Sequence, residues 1–281
     1  SGAECESGTP GEPVTDNISV ERVDHVAIVW LDRPQKLNAM SPEMWSGLPQ
    51  VVEALGEDDQ VRVLVVRGRG PAFTVGIDLQ MLGAIVPEGR SEAERRRTLM
   101  SEIKRLQHTF TALADCPKPV IAAIHGYCLG AGIDLITACD IRWSAADAIF
   151  SVRETRMGLV ADVGTMQRLP RIVGPGHVAE LVYTGADIGA DRALEMGLVS
   201  RVLADEESLH KEVMTLAAEI ASNSPLVVEG AKAVLRAGEG RSIEQALDYM
   251  ALWNAAFLIS DDLDEAIAAH LEKRPPRFTG S

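Results

Sequence analysis

Pro119-Val120-Ile121-Ala122-Ala123-Ile124-His125-Gly126-Tyr127-Cys128-Leu129-Gly130-Ala131-Gly132-Ile133-Asp134 decides how the rest of the chain is read. A short apolar run ends in glycine, and a second glycine group opens the next stretch. A strand buried on both faces has this form, because neither face needs polar side chains. Glycine then lets the backbone turn sharply and approach a ligand closely. Gly132 to Cys139 follows as a predicted buried helix.

Outward from this core the same succession recurs. Val26-Ala27-Ile28-Val29-Trp30-Leu31 predicts a buried strand ended by Asp32-Arg33-Pro34. Ser41-Pro42-Glu43 reads as an N-cap with proline in the first turn, opening a helix to Leu55. Val61 to Val66 predicts the next strand, closed by Gly68-Arg69-Gly70-Pro71. A helix from about Ser91 to Leu113 is entered through the loop Pro87 to Arg90. Beyond the core, Ile141 to Ser144 and Ala148 to Ser151 are short strands, and Met166 to Ile172 and His177 to Tyr183 are helical. Several strand-helix units in one chain predict an α/β fold with largely buried strands.

The two ends read differently. Residues 1–17 are rich in Gly, Pro, Ser, Thr and Glu, too poor in large apolar side chains to repay ordering, and are expected to be a flexible tail. Residues 18–205 carry the strand-helix units. Residues 206–281 are helical throughout, over Leu209 to Ser222, Pro225 to Ala237, Ile243 to Ile259 and Asp261 to Leu271. Their apolar faces must cover their own core or a neighbouring subunit.

Composition removes several function classes. The 281 residues are 46% hydrophobic and 24% charged, an ordinary globular balance, with a net charge of −14. Such an acidic chain is a poor nucleic-acid binder, since that affinity rests on Lys and Arg neutralising phosphates; Arg95-Arg96-Arg97 reads as a solvated helix face. No apolar run approaches the roughly 18 residues of a membrane span. Cys5, Cys116, Cys128 and Cys139 form no C-x-x-C pair and the histidines are scattered, so no metal site is expected. With no secretory signal and no S-K-L address at Arg277 to Ser281, the expected location is cytoplasmic.

Chemistry is expected around three acids. Asp162 lies in Met157-Gly158-Leu159-Val160-Ala161-Asp162-Val163-Gly164, where every neighbour is apolar or glycine. Glu154 precedes it by eight residues, and Asp134 follows Gly130-Ala131-Gly132. Burying a carboxylate without partners costs several kcal/mol or forces it to hold a proton, so the three outline a proton-transfer site. Bland roles stay open: Asp134 could cap the helix after Gly132, Glu154 could pair with a flanking arginine, and Asp162 could cap a helix from Val163. Two loops, Phe73 to Leu79 and His125 to Asp134, expose backbone N–H groups where strand gives way to helix, and facing one another they would form an oxyanion hole. A dinucleotide site fails on spacing, because Leu135 stands where G-x-G-x-x-G needs its third glycine.

Taken together, Asn38-Ala39-Met40, Phe73 to Leu79, Pro117 to Gly126, Gly130-Ala131-Gly132, Ala138-Cys139-Asp140-Ile141-Arg142 and Gly197-Leu198-Val199 resemble the crotonase, or enoyl-CoA hydratase and isomerase, superfamily. Within it, Thr74 to Leu79, Ile133 to Asp140 and Gly158 to Thr165 most resemble the Δ3,5-Δ2,4-dienoyl-CoA isomerases; ordinary hydratases usually have Glu in place of Asp134 and glycine in place of Asp162. The resemblance implies a crotonase/ClpP-like spiral of repeated ββα units with a C-terminal helical trimerisation region, assembled as a trimer or a dimer of trimers. It implies Asp134, Glu154 and Asp162 as catalytic acids and the backbone N–H groups of Ile77 and Ala131 as the oxyanion hole. Lys36, Asn38, Ala39, Val75, Gly76, Asp78, Leu79 and Gly130 are implied contacts of the CoA ester, and Met81 to Leu99 the lining of the acyl-tail pocket. The expected reaction is isomerisation of 3,5-dienoyl-CoA in fatty-acid β-oxidation, without a cofactor, coenzyme A being part of the substrate. Hydration of 2-enoyl-CoA and a non-catalytic acyl-CoA-binding role are the alternatives. Ala131 departs from the family's usual glycine, which keeps the N–H donor but raises the question of crowding.

Overall fold

The computed structural model describes residues 12–82, 89 and 91–281. Cys5, most of the expected tail, most of the loop Pro87 to Arg90 and part of the expected acyl-tail lining lie outside the described residues. In chain order the elements begin with β1 (Glu12–Thr15), β2 (Ile18–Val23), β3 (Val26–Leu31), α1 (Pro42–Glu57), β4 (Val63–Gly68), β5 (Ala72–Thr74), α2 (Leu79–Leu82) and α3 (Glu92–Asp115). They continue with β6 (Val120–Ile124), β7 (Tyr127–Leu129), α4 (Ala131–Ala138), β8 (Ile141–Ala145), β9 (Ile149–Ser151), α5 (Thr165–Arg168) and α6 (Pro175–Thr184). The last are β10 (Ile188–Gly189), α7 (Ala190–Glu195), β11 (Arg201–Leu203), α8 (Glu206–Ala221), α9 (Pro225–Ala237), α10 (Ile243–Phe257) and α11 (Asp261–Glu272).

Among the described residues the strands form two sheets, β1-β2-β3-β4-β6-β8-β11 and β10-β9-β7-β5. The pairs β4/β5, β6/β7 and β8/β9 each put one strand in the large sheet and the next in the small one, and within each sheet these strands run parallel. The chain thus advances one strand per sheet per turn, which is the expected spiral. The continuous apolar runs follow from this position. In β3, Ala27, Val29 and Leu31 face the inner core while Val26, Ile28 and Trp30 face outward, and β4 and β6 alternate likewise. Both faces are covered, so neither needs polar residues.

The inner face packs on α1 and on the C-terminal half of α3. Ser41 caps α1 by accepting from the Met44 N–H at 3.4 Å, with Pro42 in the first turn. Trp45 of α1 meets Phe110 of α3 at 5.1 Å between ring centroids, and the Thr109 hydroxyl donates to the Trp45 carbonyl at 2.8 Å.

Four differences from the sequence reading have physical causes. Residues 12–15, expected in the flexible tail, form β1, because β2 otherwise leaves an unpaired edge. The β4 ladder starts two residues late, since the Val61 N–H is taken by the Asp58 carbonyl in a turn. The helix expected over Met166 to Ile172 is one turn of α5 followed by a tighter turn, Leu169–Arg171, where Pro170 has no N–H to continue the α-helical ladder. Finally, α8, grouped by sequence with the C-terminal helices, covers the outer face of the large sheet through Leu209, Val213, Ala217 and Ala221. Beyond it, α10 buries none of its side chains and rests on α9, where Gly230 leaves room for Trp253. Ile243, Leu252 and Ile259 are 81%, 71% and 96% exposed, so the apolar faces of this region are not spent on its own core. Among the described residues, no helix is long and apolar enough to cross a membrane and no group of three His, Cys, Asp or Glu side chains could hold a metal ion.

Candidate active site

The spiral brings the two glycine loops side by side, since β5 and β7 are neighbours in the small sheet. After β5, Met40 takes up the backbone on one side of the loop: its N–H donates to the Gly76 carbonyl at 2.8 Å and its carbonyl accepts from the Asp78 N–H at 3.1 Å. In such a parallel bridge the intervening Ile77 N–H points the opposite way, and among the described residues it has no acceptor. After β7, the Gly130 N–H donates to Ser151 at 2.9 Å, so the Ala131 N–H turns away from the strand and, as the first of α4, has no acceptor within the helix. Gly76 joins the loops: at φ +88° a Cβ there would meet the Leu129 carbonyl at 2.8 Å and the Ala131 nitrogen at 3.1 Å. Two free N–H groups are thereby held on adjoining backbones, as an oxyanion hole requires. Gly130 takes a positive φ of +55°, and Ala131 does not, so its methyl group imposes no backbone strain.

The acids come from three other segments. Asp134, in α4, is fully buried. One carboxylate oxygen accepts from the Thr165 N–H at 2.5 Å, and the other, Oδ2, is buried without a partner. Glu154 lies in the tight turn Arg153–Met157, with Oε2 also buried and unpartnered. Its carboxylate packs on the oxyanion loop, since a Cβ on Gly130 would sit 3.3 Å from Oε1. Asp162 occupies the irregular segment before α5, its carbonyl held by the Gln107 side chain of α3 at 2.7 Å.

Burial and mutual repulsion set the charges. Burial pushes Asp134 up to about 6, against the Thr165 N–H hydrogen bond and the Arg168 charge that favour the carboxylate. Burial, then the Asp134 charge, pushes Glu154 up to about 7. Asp162 is exposed rather than buried as its apolar neighbours suggested, because Leu159 and Val160 before it are themselves exposed; partial desolvation still raises it, and its own charge raises the other two. Two carboxyls raised toward neutrality within the field of a third can hold and release a proton between them.

The bland roles can now be judged. Asp134 does cap a helix, but it is α5, across the site, rather than its own. Glu154 has no arginine partner, because Arg153 pairs with Asp187 at 2.7 Å and Arg156 donates to the Thr184 carbonyl. Asp162 does not cap α5, whose N-cap is Gly164. His125 is structural, its Nε2 2.7 Å from the Gly70 carbonyl.

Among the expected CoA contacts, Lys36 and Leu79 are exposed beside the first loop, and Ala39 and Val75 partly so. Asn38 and Asp78 spend their side chains otherwise. Asn38 is buried, donates to the Arg69 and Ala72 carbonyls at 2.9 and 2.7 Å and accepts from the Arg33 N–H at 2.8 Å; Asp78 pairs with Arg33 at 2.6 Å. Both brace the loop, and their side chains are not available to a ligand. Thr165, Gln107 and Arg168 were not anticipated, because each acts on a residue from another segment and belongs to no local motif.

The Enoyl-CoA hydratase/isomerase family model matches residues 21–281. The peroxisomal Delta(3,5)-Delta(2,4)-dienoyl-CoA isomerase of Arabidopsis thaliana is 45% identical over 88% of this chain and 90% of its own length. The mitochondrial enzyme of that name from Mus musculus is 44% identical over 89% of this chain and 77% of its own. A putative enoyl-CoA hydratase from Streptomyces coelicolor has the same fold, with a TM-score of 0.88, 32% identity, and coverage of 99% of this chain and 100% of that one. The peroxisomal and mitochondrial relatives overturn the cytoplasmic expectation, which rested only on missing targeting signals.

Proposed function

The chain belongs to the enoyl-CoA hydratase/isomerase family, and on that premise we propose that it is a Δ3,5-Δ2,4-dienoyl-CoA isomerase of fatty-acid β-oxidation. The observation that carries this reading is the third acid. A hydratase of this fold needs two carboxyls, whereas here Asp162 adds a third within the field of Asp134 and Glu154.

Glu154 takes the C2 proton of the 3,5-dienoyl thioester. The C–H electron pair delocalises over the diene and onto the thioester oxygen, which accepts hydrogen bonds from the Ile77 and Ala131 N–H groups. Asp162 then gives a proton to C6, and the electrons return to form the 2,4-diene. One proton leaves and one enters, so no redox partner or cofactor takes part. After turnover Glu154 holds a proton and Asp162 lacks one; Asp134, in the field of both, tunes the exchange that resets them. Lys36, Leu79, Ala39, Val75 and the main chains of Asn38, Gly76, Asp78 and Gly130 border the path of the CoA moiety. The exposed apolar side chains of α9 to α11 serve assembly into a trimer or a dimer of trimers, which sedimentation velocity tests: a monomer at assay concentration defeats that assignment.

The test of function is turnover of 3,5-dienoyl-CoA and crotonyl-CoA side by side. Faster dienoyl-CoA turnover is expected, with Asp162→Asn losing it; undiminished turnover by that variant defeats the mechanism. Exchange of the C2 hydrogen in deuterated water assigns the base, because in Asp162→Asn it persists only if Glu154 removes that proton. One observation favours a second activity: Asp134 Oδ2 and Glu154 Oε2, both unpartnered, are suited to holding a water for 2-enoyl-CoA hydration. Crotonyl-CoA turnover above dienoyl-CoA turnover would make hydration the main reaction.

A further inference from the structure

Arg168 takes no part in the steps above, yet α5 brings its guanidinium and the Asp134 carboxylate to the same end of one helical turn. The Thr165 N–H at the start of that turn donates to Asp134 Oδ1 at 2.5 Å. Arg168, at its end, folds back over the start. Its Nη1 approaches the Val163 carbonyl at 3.5 Å, and its Nη2 donates to the Thr111 hydroxyl of α3 at 2.9 Å. Gly164 makes room for this, since at φ +141° a Cβ would overlap Nη1. The Arg168 side chain is thus held over the start of the turn whose Thr165 N–H bonds Asp134.

We propose that Arg168 is a positioning residue that decides which acid of the cluster carries the proton, by holding Asp134 as the carboxylate across the α5 turn and so leaving Glu154 as the group that titrates. This rests on the isomerase reading for its kinetic consequence, but not for its electrostatic one. Asp134 and Glu154 cannot both ionise cheaply beside Asp162. Each acid keeps one unpartnered oxygen, Asp134 Oδ2 and Glu154 Oε2, but Asp134 has the Thr165 N–H donor and the Arg168 cation to favour its charged form. The groups facing Arg168 are Asp134, Asp115, Arg236 and Cys139; Asp115 is itself ion-paired with Arg236, leaving Asp134 as the carboxylate with no closer cation among the described residues.

Removing the cation destabilises the ionised cluster and must move its titration to higher pH. In Arg168→Met, the kcat/KM profile should shift up by about one pH unit, the scale of one neighbouring opposite charge, and Arg168→Lys should restore most of the shift. The same titration, followed through the infrared C=O band of the protonated carboxyls in the ligand-free protein, should shift likewise. Thr111→Val removes the hydrogen bond but not the charge and should leave the band in place. A lowered kcat in Arg168→Met with an unmoved profile and band makes Arg168 merely structural and overturns the proposal. So does a shift in Thr111→Val, which decides the matter even if Arg168→Met does not fold. Because the infrared titration needs no substrate, a shifted band in a protein that does not turn over dienoyl-CoA counts against the reaction alone.

Discussion

The two walls of the site are built by opposite means. On the oxyanion wall the polar side chains are satisfied: Asn38 makes three hydrogen bonds, Thr74 accepts from the Gly76 N–H while donating to the Asn38 carbonyl, and Asp78 is paired with Arg33. On the acid wall, Asp134 Oδ2, Glu154 Oε2 and the Thr165 hydroxyl are all buried without partners. A donor stabilises developing charge only if it is already in place, so its supports are fully bonded. A proton carrier must keep neither form too firmly, so its carboxyls are left poorly stabilised. Rigidity on one wall and electrostatic discomfort on the other are what the proposed proton transfer requires of each.

Substitutions should therefore fail differently on each wall. The largest loss is expected on the acid wall, where Asp162→Asn or Glu154→Gln should lower dienoyl-CoA turnover by about 10² to 10⁴, the range of a positioned acid or base, with CoA-ester affinity in titration calorimetry nearly unchanged. Next is Gly76→Val on the donor wall. A side chain at φ +88° pressed on Leu129 and Ala131 displaces an N–H donor, with an expected loss of about 10² to 10³ in kcat. A thermal melt showing the variant unfolded would instead place the fault in folding.

Stability should separate the walls further. Asn38→Ala strands buried groups of the donor wall and should destabilise by about 1–3 kcal/mol in denaturant unfolding. Glu154→Gln should do the reverse. Its carboxyl is raised from 4.5 to about 7 on folding, so the folded state binds the proton more tightly and loses stability as pH rises through that interval. Above it, Glu154→Gln should be more stable than wild type by about 1–2 kcal/mol, a difference that vanishes below about pH 4.5; equal stability at all pH values would mean that the acid wall carries no strain. The smallest effect is expected for Ala131→Gly, within about twofold in kcat/KM across chain lengths, because the backbone there is unstrained.

Much of this was legible in the chain. Val120–Ile124 and Val26–Leu31 announced buried strands, because a strand covered on both faces leaves a continuous apolar run. Ser41 marked a helix start that the structure keeps, accepting the Met44 N–H three residues on. The extent of the tail was misread because β1 is held by backbone pairing with β2, which local composition does not reveal. The role of α8 was missed because an apolar helical face does not say what it covers. The bracing roles of Asn38 and Asp78 were not legible, since each bonds groups that the motif alone does not place beside it.

By itself the sequence determined the order of strands and helices and the two glycine turns, because those follow from neighbours a few residues apart. Only the tertiary structure decided what the acids do to one another. Asp134 meets the N-terminus of α5 thirty-one residues later, Glu154 lies against Gly130, and Arg168 reaches α3 across Gly164. Proton affinity depends on burial and on charges nearby in space, and both are supplied here by segments that are remote along the chain.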